Sequence, residues 1–121
     1  MRIMVVDDSE IIRIKIAEVL QGEDFEIVGK ARNGVEAVKQ FQLLRPEIIT
    51  LDITMPLMDG LETIKKIVEI DDQVRILVVS ALADKATLLK AMSMGAYGFL
   101  CKPFSDNDLA EAIDELIEDL V

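Results

Sequence analysis

The sequence contains no histidine and one cysteine, Cys101. Without histidine there is no serine–histidine or cysteine–histidine catalytic pair and no imidazole ligand for a metal. One cysteine cannot form a disulfide within the chain or a cysteine-rich zinc site. Any metal site is therefore expected to use carboxylate and carbonyl oxygens, which hard cations prefer.

The sequence also lacks a long hydrophobic run and is poor in positive charge. Its apolar runs are far shorter than a transmembrane helix requires, and the N-terminus has no signal-peptide pattern. We therefore expect a soluble, cytoplasmic protein that does not insert into membranes. Thirteen basic residues against 23 acidic ones give a net charge of −10, which disfavours direct binding to nucleic acid. A hydrophobic fraction of 51% excludes a disordered acidic chain, and the length fits a single domain, 1–121.

Five apolar segments typical of strands alternate with segments that have helical periodicity. The predicted strands are 2–6, 25–31, 47–51, 74–79 and 97–101. Apolar residues at helical spacing occupy 10–21, 37–44, 60–68, 84–94 and 109–120. Ser9 and the box Ser105–Asp108 are candidate N-caps, and Gly95 is a candidate helix stop. Apolar strands separated by helices predict an α/β fold with a parallel sheet covered on both faces.

Polar side chains suited to one site follow four of the five predicted strands, and Asn33, at the end of the second, is expected to be more peripheral. Asp7 and Asp8 follow the first strand, Asp52 the third, Ser80 the fourth and Lys102 the fifth. In a doubly wound sheet the carboxyl ends of the strands form the ligand crevice, so we expect these side chains to lie close together. Each one alone is explained as a cap, a turn former or a surface charge. Because all five are expected at the same edge of the sheet, together they predict a functional site there.

The types of side chain at this edge narrow the chemistry. Asp7 and Asp8 are adjacent, and two unit charges about 4 Å apart repel by roughly 4 kcal/mol at an effective dielectric near 20. Mg²⁺ relieves such repulsion and prefers one or two carboxylates together with waters and a phosphate. A lysine and a hydroxyl stabilise an incoming phosphoryl group, and a carboxylate can act as its nucleophile. The residues thus suggest Mg²⁺-dependent phosphorylation of an aspartate.

The sequence resembles the receiver domain of two-component response regulators over essentially its whole length. The resemblance is carried by separated motifs in a fixed order: Asp7-Asp8-Ser9, Asp52 with Thr54-Met55-Pro56 and Met58-Asp59-Gly60, Ser80-Ala81, and Gly95-Ala96 through Lys102-Pro103-Phe104. With no output domain following, it looks most like the single-domain, CheY-like members. The resemblance implies a flavodoxin-like (βα)5 fold with five parallel strands in the order 2-1-3-4-5. It also implies a phosphorylation-activated switch rather than an enzyme.

The resemblance further implies who donates the phosphoryl group and what holds the metal. Asp52 would accept the phosphoryl group from a histidine kinase. Asp8, Asp52 and the backbone carbonyl of Thr54 would bind Mg²⁺ directly, and Asp7 would act through water. Leu82 flanks the same site and offers nothing to orient water, which predicts slow to moderate self-hydrolysis of the phosphoryl group.

The resemblance also implies how the signal leaves the site. Lys102 would pair with the phosphoryl group, Ser80 would hydrogen-bond one of its oxygens, and the Lys102–Pro103 bond would be cis. Movement of Ser80 would make room for Phe99, the switch residue, although a core position in the strand also explains Phe99. The repacked face of the fourth helix, fifth strand and fifth helix would then bind a target, such as the flagellar motor or another phosphorelay protein, in chemotaxis. On that face Leu88 is either an exposed anchor or a core residue.

Four other interpretations compete with a single-domain switch. A haloacid-dehalogenase-type phosphatase needs a second aspartate two residues after the nucleophile, where this chain has Thr54. A flavodoxin-like FMN carrier would have its phosphate repelled by Asp7 and Asp8. A receiver that only binds partners would not need the full set of polar residues. A receiver excised from a multidomain DNA-binding transcriptional regulator would have the same sequence and stays open.

Overall fold

The computed structural model describes residues 1–53, 59–81 and 85–120, and within them five strands alternate with five helices. The strands are β1 Arg2–Val6, β2 Glu26–Ala31, β3 Ile48–Leu51, β4 Arg75–Ser80 and β5 Gly98–Cys101. The helices are α1 Glu10–Leu20, α2 Gly34–Leu44, α3 Gly60–Ile70, α4 Lys85–Ser93 and α5 Asp106–Leu116, followed by a 3₁₀ turn, Glu118–Leu120. Each predicted element is present with its boundaries shifted by a few residues.

The strands form one parallel sheet in the order β2-β1-β3-β4-β5, which confirms the predicted flavodoxin-like topology. Because successive strand residues point to opposite faces, Met4 and Val6 belong to a core cluster that also contains buried residues of α2, α3 and α4. Ile3 and Val5 belong to a second cluster, on the other face, with buried residues of α1 and α5. The helices therefore cover both faces, and the loops after the strands are left open at the carboxyl edge of the sheet. Within the described residues, none of the helices is long and apolar enough to span a bilayer.

Side-chain caps fix where the helices begin. The Ser9 hydroxyl accepts a hydrogen bond from the Ile12 N–H at 3.3 Å, and Ser105 with Asp108 forms the predicted capping box. Gly95 follows α4 at φ +123°, a backbone conformation that glycine adopts without steric cost. The predicted caps and helix stop are confirmed.

The outer strand β5 and helix α4 depart from the predicted burial. Phe99 is 52% exposed, so the interpretation of Phe99 as a core residue is wrong. The reason is that β5 lies at the edge of the sheet, where its side chains alternate between partly buried and exposed. In α4, Leu88 packs against the core, and its neighbour Leu89 is the exposed residue at 59%. The anchor interpretation therefore fits Leu89 better than Leu88.

The apolar stripe of α5 is buried as predicted. Leu109, Ile113, Leu116 and Ile117 all lie in the core, and Ala112, also predicted to be buried, is partly buried against it. Leu120, also predicted to be buried, lies outside the residues whose side chains the structure describes. The stripe places α5 against the same face of the sheet as α1.

Candidate functional site

The site is built where four strands end at the carboxyl edge of the sheet. Asp7 follows β1, Asp52 follows β3, Ser80 ends β4 and Lys102 follows β5. Backbone hydrogen bonds continue the sheet into these positions: the Asp52 N–H donates to the Val6 carbonyl, and the Lys102 N–H donates to the Ser80 carbonyl, each at 3.0 Å. These bonds keep the main chain at the end of β3 beside that of β1, and the main chain at the end of β5 beside that of β4.

Lys102 bridges two buried carboxylates at the centre of the site. Its Nζ lies 2.7 Å from Asp7 Oδ2 and 3.2 Å from Asp52 Oδ2. The side chains of Asp7 and Asp52 are only 1% and 4% exposed, whereas that of Lys102 is 18% exposed. Such burial of carboxylates is costly unless a cation or hydrogen-bond donor is nearby. Lys102 supplies that positive charge.

Burial and pairing shift the pKa values of this pair. Burial raises the pKa of Asp7, and the hydrogen bond from Lys102 only partly opposes that effect. Burial alone would lower the pKa of Lys102, but hydrogen bonding to Asp7 and the charge of Asp52 outweigh it and raise that pKa. The lysine therefore stays cationic at neutral pH, and Asp7 resists ionisation more than an ordinary aspartate.

Asp8 completes a group of three carboxylates. Asp7, Asp8 and Asp52 each place one ligand oxygen within 4.8 Å of the others, and Asp8 is exposed. Three carboxylates against the one ammonium of Lys102 leave uncompensated negative charge, and carboxylate oxygens are the ligands that Mg²⁺ prefers. The residues therefore fit a hard divalent cation. Thr54, whose carbonyl is the third direct ligand implied by the resemblance, lies outside the described residues, as does Leu82.

Two basic residues of α1 that the sequence interpretation missed fix the loops around the site. Arg13 Nη1 donates to the Asp7 carbonyl at 2.6 Å. Lys15 Nζ donates to the Phe104 carbonyl at 3.1 Å and lies 5.0 Å from the centre of the Phe104 ring. These contacts join α1 to the ends of β1 and of the Lys102–Pro103 segment. Both residues look like ordinary helix charges in the sequence, so no local signal could have identified them.

The start of α3 comes very close to Ile53, the residue that follows Asp52. A Cβ atom at Gly60 would lie 2.1 Å from the Ile53 Cα, so any side chain there would displace the main chain. The Gly60 N–H donates to the Ile53 carbonyl at 3.3 Å. The start of α3 is thus set directly against the residue that follows Asp52.

The proposed switch residues lie on neighbouring strands. Ser80 is 2% exposed and pairs with Cys101, and Phe99 pairs with Val78. Phe99 lines a groove of about 220 Å³ between β5 and α5, together with Tyr97. The Lys102–Pro103 peptide bond is cis, as expected.

Known proteins match this chain over nearly its whole length. The family model described as "Response regulator receiver domain" matches residues 3–114. Chemotaxis protein CheY of Bacillus subtilis is 39% identical over 116 residues, which cover 96% of this chain and 97% of that protein. CheY of Thermotoga maritima is 37% identical over 115 residues, which cover 95% and 96%. Among solved structures, the CheX-CheY-BeF3-Mg+2 complex from Borrelia burgdorferi has a matching chain with a TM-score of 0.92 at 29% identity, covering 97% of this chain and 89% of that chain.

Proposed function

This chain belongs to the response regulator receiver domain family, whose members are phosphorylation-activated signalling switches, and from that premise we propose that Asp52 is its phospho-acceptor. The observation that carries the proposal is the position of Lys102 Nζ, 3.2 Å from an Asp52 oxygen inside a buried site. An ammonium in that position would stabilise the negative charge that a phosphoryl group brings to Asp52. Asp8 would bind the accompanying metal directly together with Asp52, and Asp7 would act on it through water.

The proposed transfer is a displacement at phosphorus. One Asp52 oxygen attacks the phosphoryl group of a kinase phosphohistidine, and a P–O bond forms as the P–N bond breaks. The electron pair of the broken bond stays on the histidine nitrogen, which takes up a proton. Asp8, Asp52 and the Thr54 carbonyl would hold Mg²⁺ directly, with Asp7 acting through water. When bound, Mg²⁺ would partly neutralise the negative charge on the phosphoryl oxygens.

The chain's own residues then respond to the new charge. The modification adds about −1.5 to −2 charges at Asp52, so Lys102 gains a stronger partner than the Asp52 carboxylate alone. The Ser80 hydroxyl would donate to a phosphoryl oxygen from the end of β4. Movement of Ser80 would open space for Phe99, which is half exposed in this structure. Phosphorylation shifts the balance between the two packings only by its differential stabilisation of one of them.

The output face proposed for this switch consists of α4, β5 and α5. Its large exposed apolar side chains are Leu89, Met92, Tyr97 and Phe99. A cytoplasmic histidine kinase pathway of chemotaxis is the favoured context, because several relatives at 37–39% identity are chemotaxis proteins. The target would then be the flagellar motor or another phosphorelay protein. Beyond self-phosphorylation from small phosphodonors and self-dephosphorylation, no enzymatic turnover is proposed.

The proposal is tested with a small phosphodonor. The protein is incubated with acetyl phosphate and Mg²⁺ and its intact mass is measured. We expect a gain of one phosphoryl group that is stable in acid, labile in base and absent in Asp52→Asn. Rapid turnover of phosphodonor without the adduct would instead favour the phosphatase interpretation, and the absence of both would favour a receiver that only binds partners.

A further inference from the structure

Arg13 binds both residues that flank Asp8. Asp7 and Ser9 lie on either side of Asp8 in the loop between β1 and α1. Arg13 donates from Nη1 to the Asp7 carbonyl at 2.6 Å, and from its main-chain N–H to the Ser9 carbonyl at 3.0 Å. The main-chain bond belongs to the first turn of α1 and would form with any residue except proline. The bond to Asp7, in contrast, depends on the side chain of Arg13.

The carbonyl that Arg13 binds sets the direction in which Asp8 leaves the loop. A trans peptide is planar, so the Asp7 carbonyl and the N–H and Cα of Asp8 lie in one plane. On the other side of this plane Asp7 is held by the sheet, because its N–H donates to the Ala31 carbonyl at 3.0 Å. Asp8 itself is exposed. The orientation of its carboxylate therefore depends on the peptide plane that Arg13 holds.

The bond from Arg13 to Asp7 is difficult to replace. A hydrogen bond from a guanidinium is charge-assisted and stronger than one between neutral groups. Asp7 is 1% exposed, and a buried carbonyl left without a donor is unfavourable. Loss of the guanidinium therefore favours rotation of the Asp7–Asp8 peptide toward another donor, and such a rotation moves Asp8.

Arg13 makes this contact although carboxylates lie close to it. A cavity of about 300 Å³ beside α1, β2 and α2 is lined by Arg13, Glu10, Arg32 and Glu36 among others. Glu36 pairs with Arg32 at 2.9 Å. The ion pairs found among the described residues do not include Arg13. The Arg13 guanidinium therefore holds a main-chain carbonyl of the loop that carries Asp8 and does not form a salt bridge.

We propose that Arg13 positions Asp8 for the divalent cation by holding the Asp7 carbonyl. The inference rests on the proposed function, since it concerns the same metal site. Arg13 is a positioning residue, because a guanidinium cannot coordinate a cation and acts here only through the main chain. Groups that orient the direct ligands of a metal typically contribute about 10- to 100-fold to its affinity.

The charge of Arg13 by itself predicts the opposite effect. Removal of a positive charge near three carboxylates leaves the site more negative, which would strengthen the binding of Mg²⁺. Positioning predicts weaker binding, because the Asp8 carboxylate loses its fixed direction. The sign of the change in affinity therefore separates the two effects.

The first test measures the dissociation constant of Mg²⁺ from amide NMR shifts of the unphosphorylated protein. We expect Arg13→Met to bind Mg²⁺ at least about tenfold more weakly than wild type. Arg32→Met removes the same charge from the same cavity and is the matched control, expected to bind as wild type or slightly more tightly. Arg13→Met that binds Mg²⁺ as well as wild type, or better, would overturn the proposal. If Arg13→Met loses its helical circular dichroism, Arg13→Gln is measured in its place with the same expectation.

The second test observes the peptide plane itself. The residual dipolar coupling of the Asp8 N–H reports the orientation of the Asp7–Asp8 peptide. Without metal, this coupling should match the structure in wild type and Arg32→Met and depart from it in Arg13→Met, and saturating Mg²⁺ should bring it back. The coupling of the Asp52 N–H, which is held in the sheet, should match in every protein. An unchanged Asp8 coupling in metal-free Arg13→Met would refute the positioning role.

The two tests distinguish this proposal from the phospho-acceptor assignment. If acetyl phosphate leaves Asp52 unmodified while Arg13→Met weakens Mg²⁺ binding, the assignment of Asp52 fails and the role of Arg13 stands. If Asp52 is modified and Arg13→Met binds Mg²⁺ as wild type does, the role of Arg13 fails alone. Wild type that does not bind Mg²⁺ at all would overturn both the metal site and the role of Arg13.

Discussion

Lys102 Nζ and Asp7 Oδ2 are 2.7 Å apart although the two residues are separated by 95 positions in the sequence. The contact joins the loop after the first strand to the loop after the fifth across the mouth of the site. It holds a cation beside two buried carboxylates. The proposed chemistry, the response to metal and the pH dependence all depend on this one pair.

Metal binding should stabilise the folded protein. A ligand present at 100 times its dissociation constant and bound only by the folded state adds about 2.7 kcal/mol to the free energy of unfolding. We expect urea unfolding curves to shift to higher urea with saturating Mg²⁺ and not in Asp8→Asn. Asp24→Asn, an exposed aspartate away from the site, should keep the full shift. An equal Mg²⁺ effect in Asp8→Asn would contradict a site at this edge.

Asp7 should make stability depend on pH in the absence of metal. Its folded pKa is raised by burial, so its contribution is complete below the unfolded pKa of about 3.9. The contribution is lost as pH rises through the raised folded pKa. Wild type should therefore lose stability relative to Asp7→Asn as pH rises from that region toward neutrality. Urea unfolding of both proteins across that range measures the difference, and a difference that grows in favour of wild type would refute it.

Thr50 should be replaceable with a gain in stability. It is 1% exposed in the middle of β3, and its hydroxyl has no hydrogen-bond partner among the residues that the structure describes. A buried hydroxyl without a partner costs roughly 1–3 kcal/mol, so Thr50→Val should raise the free energy of unfolding by about 1 kcal/mol.

The matched control for that substitution is Thr63→Val. Thr63 is equally buried, but its hydroxyl donates to the Asp59 carbonyl at 2.8 Å. The same change there removes an existing hydrogen bond and should lower the free energy of unfolding by about 1 kcal/mol. Chemical denaturation of the two variants gives both values, and shifts of the same sign would count against this account of the β3 hydroxyl.

Gly60 should not tolerate a side chain. The Cβ of Gly60→Ala would meet the Ile53 main chain, and overpacking of this kind typically costs about 1–3 kcal/mol. Gly22 has nothing within 4 Å of its would-be Cβ, so Gly22→Ala should change stability by less than ~0.5 kcal/mol. Thermal unfolding distinguishes the two, and a neutral Gly60→Ala would mean that α3 can move away from the site without cost.

The sequence predicted those parts of the fold that local pattern determines. Apolar runs ending in Asp7, Asp52, Ser80 and Lys102 placed the site, because parallel strands bring their carboxyl ends to one edge. The exposure of Phe99 could not be predicted, since a strand reads as apolar whether it lies inside the sheet or at its edge.

Side-chain contacts between residues far apart in the chain could not be predicted from the sequence either. Lys15 reaches the Phe104 carbonyl across 89 positions, and Gln21 bonds to β2 from the end of α1. Neither residue type at those positions has a distinctive pattern. Such contacts depend on how helices pack on the sheet, which periodicity does not specify.

The central claim is that Asp52 carries the phosphoryl group. Borohydride reduces an aspartyl phosphate to homoserine, so the modified residue can be located by peptide mass spectrometry after treatment with acetyl phosphate and Mg²⁺. The account predicts homoserine at position 52, no reduction at Asp7 or Asp8, and none anywhere when Mg²⁺ is withheld. Homoserine at Asp7 or Asp8 with Asp52 intact would contradict it.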